Sequence, residues 1–178
     1  ELRKAFADAS RTPRERYGDL RAQEAANHVG MTRLQELCSN SDAAQHITPL
    51  NQGLLDYAER RMRAIIAPIA DGTYHFEDVL DSDGLSEDPI TIPVTLTISG
   101  TEELVDFTEA PGTVQSSVNA VRAITLAAVH YVFRCLGPDD LPTSSGLTRP
   151  LSVRTSPGTI VDATYPAAVS AGNVETSQ

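Results

Sequence analysis

The chain of 178 residues is long enough for one domain with a substantial core, or for one domain with an appended helical segment. Its hydrophobic content of 40% and charged content of 21% are typical of globular proteins and argue against wholesale disorder. The net charge of −10 argues against a general affinity for nucleic acids or anionic membranes. No apolar run approaches the length of a membrane span, and we predict a cytoplasmic protein.

Helices are predicted first along the chain. The apolar residues of segment 1–10 recur on one face of a short helix. A second helix begins at a Thr-Pro-Arg-Glu sequence, with Thr12 as N-cap and Glu15 closing a capping box, and it runs to about Cys38. Its predicted apolar stripe consists of Ala22, Ala26, Val29, Arg33 and Leu37.

A third helix follows a polar stretch at 39–46, which we predict to be a loop. Its apolar residues repeat with a period of 3.6 from Leu50 to Ile65, and Pro68 ends it. We therefore predict a helical segment over residues 1–70 and an α+β segment over residues 71–178.

After Gly72 the period of the apolar residues changes from 3.6 to 2, which indicates strands. The sequence "TYHFEDVL" predicts one strand, and "ITIPVTLTI" at 90–98 places five apolar residues on one face of another. Pro93 cannot donate to a β-ladder, so this strand lies at an edge or the proline occupies a non-bonded position. The sequence "LVDF" at 104–107 predicts a third strand that completes a meander.

The acidic stretch between the first two strands contains Asp81 and Asp83, which are too few oxygen ligands at the required spacing for an EF-hand. We interpret it as a hairpin connection with Gly84 at a positive φ.

A long helix is predicted over about 117–136, with apolar residues around most of its circumference. Such a helix packs between the sheet and another layer, and Cys135 would lie in its buried face. Two further short strands are predicted at 151–155 and 159–163. The fold class is thus α+β, with N-terminal helices followed by an antiparallel meander packed on a long buried helix and further short strands.

Spacing alone does not identify a catalytic centre. Lys4 is the only lysine, so there is no Gly-Lys-Ser/Thr sequence and no P-loop for a nucleotide. The distant Cys38 and Cys135 lack the Cys-x-x-Cys spacing, which favours reduced thiols. The histidines lack metal-ligand spacing, although clustering in space stays open; they are His28, His46, His75 and His130.

Six stretches, in order, nevertheless resemble the hydantoinase B / 5-oxoprolinase B-type subunit family. They are "RTPRERYGDLRAQ" (11–23), "LLDYAERRMRA" (54–64), "DGTYHFEDVLDSDG" (71–84), "ITIPVTLTISGTEELVDFTEAPGTVQSSVNAVRAIT" (90–125), "HYVFRCL" (130–136) and "PGTIVDATYPAAVSAGNVETSQ" (157–178). They cover nearly the whole chain. Because family members are several times longer, the resemblance implies an internal section of a subunit, truncated at both ends.

The resemblance implies ATP-dependent hydrolysis of a cyclic amide such as hydantoin, 5-oxoproline or a lactam. An A-type partner subunit would bind ATP in a hetero-oligomer, and the B-type subunit would complete the chemistry with a divalent metal. Phosphorylation of an amide oxygen makes the resonance-stabilised carbon electrophilic, which explains a need for ATP. The family's metal ligands lie outside this sequence, so we expect neither a cofactor nor a metal bound by these residues and an inactive isolated section.

The resemblance also singles out polar residues as site candidates. Asp106 and Thr108 belong to the "VDFT" element and Asn119 to the "VNA" element, while the last candidates, Asn173, Glu175 and Thr176, belong to the final motif. They could orient substrate or hold other site residues in place. Alternatively, Asp106 forms a turn, and Asn173 and Thr176 cap a helix. Glu109 replaces the family's usual Gly or Ser, which weakens the inference for that turn.

Two other functions stay open from the sequence. The chain could belong to the related carboxylases that act on acetone or acetophenone. It could also serve as a scaffold and subunit interface without catalytic residues, in which case an apolar face should be exposed in the isolated section.

Overall fold

The structure, a computed structural model, describes residues 2–39 and 41–177, with residues 41–44 described without their side chains. The chain forms two compact units, Glu1–Gln52 and Gly53–Gln178. The division predicted at residue 70 marks the change from helix to strand, and it stays a prediction. Within the described residues, no helix has the length and apolar character required to span a membrane.

Helices form the first unit. They are α1 (Leu2–Asp8), α2 (Pro13–Cys38) and the start of α3 (Ser41–Ile66), so the predicted helices are confirmed. The predicted loop at 39–46 is wrong, because α3 begins at Ser41 and continues through Pro49. Alanines at positions 43 and 44 are strong helix formers, and their effect outweighs the polar composition that suggested a loop.

The predicted N-cap position of α2 is confirmed, whereas the predicted capping box is wrong. Thr12 occupies the N-cap position, but among the described residues its side chain makes no capping hydrogen bond. Its own N–H instead donates to the Ser10 hydroxyl at 3.2 Å. No described residue of α2 is buried, and this includes the stripe from Ala22 to Leu37.

The second unit contains a four-stranded sheet, with the order β1-β2-β3-β4. Strands β1 (Gly72–Leu80), β2 (Ile90–Ser99) and β3 (Glu102–Asp106) form the predicted antiparallel meander, and β4 (Leu151–Arg154) pairs parallel to β3. Strand β2 lies inside the sheet, but Pro93 lies beyond the end of β3, so on that side it is at an open edge, which was one of the two predicted positions. Pro93 pairs with Glu77 of β1, whereas β3 pairs with β2 only from Thr95 onward.

The connection between β1 and β2 is the predicted turn. Gly84 has a φ of +80°, and the Asp83 carboxylate accepts the N–H groups of Leu85 and Ser86 at 2.8 Å each. These hydrogen bonds hold the pKa of Asp83 below its ordinary value.

Helix α4 (Arg122–Cys135) is shorter than predicted and buries only one face. Thr125, Val129 and Phe133 are buried, whereas Val132 and the thiol-bearing Cys135 are exposed. The prediction that Cys135 lies in a buried face is therefore wrong, whereas the exposed apolar face of α4 is what was expected of an isolated section. The apolar pattern of α4 shows which of its faces could be buried. Within the described residues, however, only one layer packs against this helix.

The helix starts late because the preceding backbone hydrogen-bonds to other loops. The N–H of Ala120 donates to the carbonyl of Ile160 at 2.7 Å, and the carbonyl of Ala120 accepts from the N–H of Ala163 at 2.9 Å.

The predicted strand at 159–163 is also wrong. Gly158, at a φ of +88°, turns the chain so that its N–H donates to the carbonyl of Asp162 at 2.8 Å.

The main core lies between α3 and one face of the sheet. Residues on this face come from every second position of each strand, and α3 contributes Ala58, Met62 and Ile66. The 3₁₀ turn Ser145–Thr148 packs closely on α3, because a Cβ at Gly146 would overlap the carbonyl of Leu55.

Ion pairs close the edge of this core. Arg149 donates to Asp56 at 2.8 Å and to Glu59 at 3.0 Å, and Arg63 joins Glu59 to Glu102. Hydrogen bonds from Arg149 and then from Arg63 hold the pKa of Glu59 below its ordinary value.

Glu103 is a carboxylate within the apolar face. It alternates in phase with Val105, pairs with Ile98 and Leu151 of the flanking strands, and is 3% exposed. Neither carboxylate oxygen has a hydrogen-bond partner among the described residues. Burial therefore raises the pKa of Glu103 to about 7, against a weaker opposing effect of the backbone N–H of Ser152.

Glu103 predicts a pH dependence of folding. Its folded pKa of about 7 exceeds the ordinary 4.5, so the folded state binds more protons between these values. The free energy of unfolding should fall as pH rises through this window, by up to about 1.4 kcal/mol per pH unit. Denaturant unfolding across this window should show the slope, and Glu103→Gln should remove it.

Glu77→Gln provides a matched control, because Glu77 is exposed on the opposite face of the sheet. The control should retain the slope. Equal slopes in the wild type and the Glu103→Gln variant would contradict the assignment to Glu103.

Candidate functional site

The Asp106–Thr108 segment forms a turn at the end of β3. One carboxylate oxygen of Asp106 accepts the Thr108 N–H at 2.8 Å and the Thr108 hydroxyl at 2.6 Å. The hydrogen bond from the Thr108 hydroxyl lowers the pKa of Asp106 most, and the one from the Thr108 N–H comes second. The positive charge of Arg154 on β4 adds to the effect. The carboxylate is thus ionised, and it accepts the hydrogen bonds that form the turn. This is the turn-forming role that the sequence offered for Asp106 as the alternative to a site role.

This turn borders a small cavity of about 140 Å³, which Pro93, Thr95 and Glu109 also line. The cavity is below the roughly 300 Å³ at which sites for drug-sized ligands begin, and its size is close to that of cavities that hold a single small ring.

Asn119 is completely buried and connects two loop segments, its own and the one that contains Ala168. Its Oδ1 accepts the N–H of Val114 at 2.8 Å, and its Nδ2 lies 2.9 Å from the carbonyl oxygens of Val114, Ser116 and Ala168. An amide can satisfy donors and acceptors together, which neither a carboxylate nor an apolar side chain can do. Asn119 therefore holds the loops together and does not face a reactant.

The last three candidates lie on or beside α5 (Gly172–Glu175), which packs on the backbone of Asn119. Gly172 donates its N–H to Ser117 at 2.9 Å, and a Cβ at this position would overlap the carbonyl of Asn119. The predicted N-cap role of Asn173 is wrong: Ala171 precedes the helix, and Asn173 is exposed within it. The close approach of Gly172 determines where this helix begins.

Glu175 and Thr176 border a large groove of about 860 Å³. Its floor is the apolar face of β1–β3, and one wall is α4. The structure thus brings Asn119 and α5 together, and it places Glu175 and Thr176 at the groove. No hydrogen bond between described residues joins the Asp106–Thr108 turn to Asn119 or to α5.

A metal site would need several ligands close together. Among residues 2–39 and 41–177, no group of three or more His, Cys, Asp or Glu side chains lies close enough to hold a metal ion. The described residues therefore do not fit the divalent metal that the resemblance implies.

Sequence reasoning missed Glu103, although its phase with Val105 and Phe107 in a period-2 pattern was visible.

The Asn119 network generates a stability prediction. Asn119→Ala leaves the Val114 N–H and three carbonyl groups without this partner, and we expect a loss of about 2–4 kcal/mol in the free energy of unfolding. Asn119→Asp should also be destabilising, because a carboxylate cannot donate to the carbonyls. Urea denaturation measures both, with exposed Asn173→Ala as control, expected within about 0.5 kcal/mol of wild type. A wild-type stability for Asn119→Ala would contradict the structural role.

The chain has been compared with known proteins. The model of the family described as "Hydantoinase B/oxoprolinase" matches residues 1–178. The 5-oxoprolinase of Saccharomyces cerevisiae is 31% identical over 173 residues, which cover 95% of this chain and 13% of that protein. The caprolactamase subunit beta of Pseudomonas jessenii is 30% identical over 151 residues, which cover 84% of this chain and 26% of that protein.

The fold has a solved counterpart in the crystal structure of the ATP-dependent caprolactamase from Pseudomonas jessenii. The TM-score is 0.73 at 29% identity, and the match covers 93% of this chain and 28% of that one. The chain spans less than a third of the length of these relatives. Since the family match extends over all 178 residues, the chain belongs to the hydantoinase B/oxoprolinase family.

Proposed function

We propose that this chain is a section of the B-type subunit of an ATP-dependent cyclic-amide hydrolase. The observation that supports this most strongly is the likeness to the ATP-dependent caprolactamase, which covers 93% of the chain at a TM-score of 0.73. The similarity to a 5-oxoprolinase adds a second relative named for a cyclic amide. The substrate would therefore be a small ring containing an amide, in the class of lactams, 5-oxoproline and hydantoins.

The proposal divides the work between two subunits. An A-type partner would bind and use ATP, in a cytoplasmic hetero-oligomer, and a divalent metal would be held by parts of the B-type subunit outside these residues. The subunit designation of the caprolactamase relative supports a heteromeric assembly.

A second candidate function is that of a scaffold within the same enzyme. Two of the candidate positions are engaged in structural hydrogen bonds: Asp106 in its turn and Asn119 in its buried network. We infer that the section contributes a rigid frame for neighbouring parts of the subunit. Glu175 and Thr176, which border the groove, are the candidates left for a direct role.

The activity can be tested with the protein from its complete reading frame, purified together with its A-type partner. We expect ring opening of caprolactam, 5-oxoproline or hydantoin that requires ATP, measured as the ring-opened product together with released phosphate. The 178-residue chain alone, as control, should show neither. ATP-dependent turnover by that chain alone would contradict the proposal. Bicarbonate-dependent ATP use with acetone or acetophenone would instead favour a carboxylase.

A further inference from the structure

We propose that the groove between the sheet and α4 is the docking site of an amphipathic helix with basic residues along one side, supplied by a part of the subunit outside these 178 residues. The proposal concerns how this section is covered, and it goes beyond the catalytic function. It rests on the shape, the exposed apolar side chains and the charge of the groove.

The groove exists because the helices cover only part of one sheet face. Every second residue of β1 and β2 points to this face, including Tyr74, Phe76, Val94 and Leu96. Beside α3 and α4 this face is buried, and Ile98 is 2% exposed. Over β1 it is open: Phe76 is 68% exposed, although it lies on the same face as the core.

Helix α4 provides the second apolar wall. Its buried side packs on the sheet, and Val132 and Leu136, each 57% exposed, line the groove. Tyr74 and Phe76 on the sheet and Val132 and Leu136 beside them thus bring exposed apolar surface to the two sides of one groove. A contiguous patch of this kind marks an interaction site.

The geometry favours a helix over an added strand. A strand that paired with the free edge of β1 would extend the sheet and leave its apolar face open. A helix, about 10 Å across, would lie beside α4 in the same layer and cover both walls. Its apolar stripe would face Phe76 on one side and Val132 on the other.

The charged residues that line the groove, called its rim here, indicate the charge of the helix that would occupy it. Three carboxylates line the groove, from Asp78 and Asp81 at the end of β1 and from Glu175 at α5. No Lys, Arg or His is among the described residues that line it. A segment with Lys or Arg beside its apolar stripe would complement this rim, and an acidic segment would be repelled.

The length of the relatives indicates where this helix comes from. The match covers only 28% of the caprolactamase chain, so a subunit of this type contains much further polypeptide that is available to supply the helix. A covering helix from the same subunit needs no separate binding equilibrium, because it is tethered to the groove it occupies.

The test places a photo-crosslinker in the groove of the purified protein from its complete reading frame. The aromatic p-benzoylphenylalanine replaces Phe76, and in the control it replaces Tyr165, which is 99% exposed and does not line the groove. After irradiation and digestion, mass spectrometry identifies the attached peptide. From position 76 we expect a crosslink to a single peptide from outside the 178 residues, with apolar residues at helical spacing and flanking Lys or Arg. From the control position 165 we expect no crosslink to this peptide.

A charge-reversal experiment tests the rim. Combining Asp78→Lys with Asp81→Lys should abolish the crosslink from position 76, whereas Glu77→Lys with Glu87→Lys, at positions that do not line the groove, should leave it unchanged. If the reversed variant lacks the wild-type circular dichroism, Asp78→Asn with Asp81→Asn replaces it, and a reduced crosslink is expected.

Three results would overturn the proposal. They are a crosslink to residues 1–178 of the same or a second copy, equal yields of one peptide from positions 76 and 165, and a crosslink unaffected by the rim substitutions in a folded variant. Because the readout is a covalent adduct, it is independent of the amide-hydrolase assay, and either proposal can fail without the other.

Discussion

The second unit depends on the difference between the two faces of its sheet. Alternate residues of β2 place Ile, Val and Leu on one face and Thr, Pro and Ser on the other, and residues of the neighbouring strands continue the apolar face, with Asp78 and Glu103 as its charged members. Helix α3 covers the apolar face with Met62 and Ile66, and each such side chain stabilises the fold by about 1.5–3 kcal/mol when fully buried. The groove, the exposed wall of α4 and the buried Glu103 are consequences of how this face is covered.

Close backbone approaches position the elements around the sheet. Gly146 lets the 3₁₀ turn lie against the backbone of α3, and Gly172 lets α5 lie against that of Asn119. The loops between them bury the apolar side chains of Ala110, Ile160 and Val161, and buried polar contacts add to this packing. Asn119 joins segments that are far apart in the chain, from Val114 to Ala168, through one amide group.

Several of the candidate residues that the resemblance singles out are engaged in structural contacts of this arrangement. The matched motifs correspond to a turn, a buried amide network and a helix start, all of which are requirements of folding. What the section presents outward is an apolar groove with carboxylates at its rim, a surface suited to packing against polypeptide. Glu103 introduces a buried ionisable group into the same layer, which links the stability of this frame to pH.

The amino-acid sequence by itself determined the α+β class, the order of helices and strands, the meander and the family, because these follow from apolar periods, turn residues and motifs in chain order. It also marked the turns at Gly84 and after Asp106. Only the tertiary structure decided that α4 has one buried face, that Cys135 is exposed, that 159–163 is a turn and that Asn119 is buried. The physical reason is that a periodic pattern states which side chains could share a face. Whether another segment covers that face depends on contacts between residues that are distant in the chain.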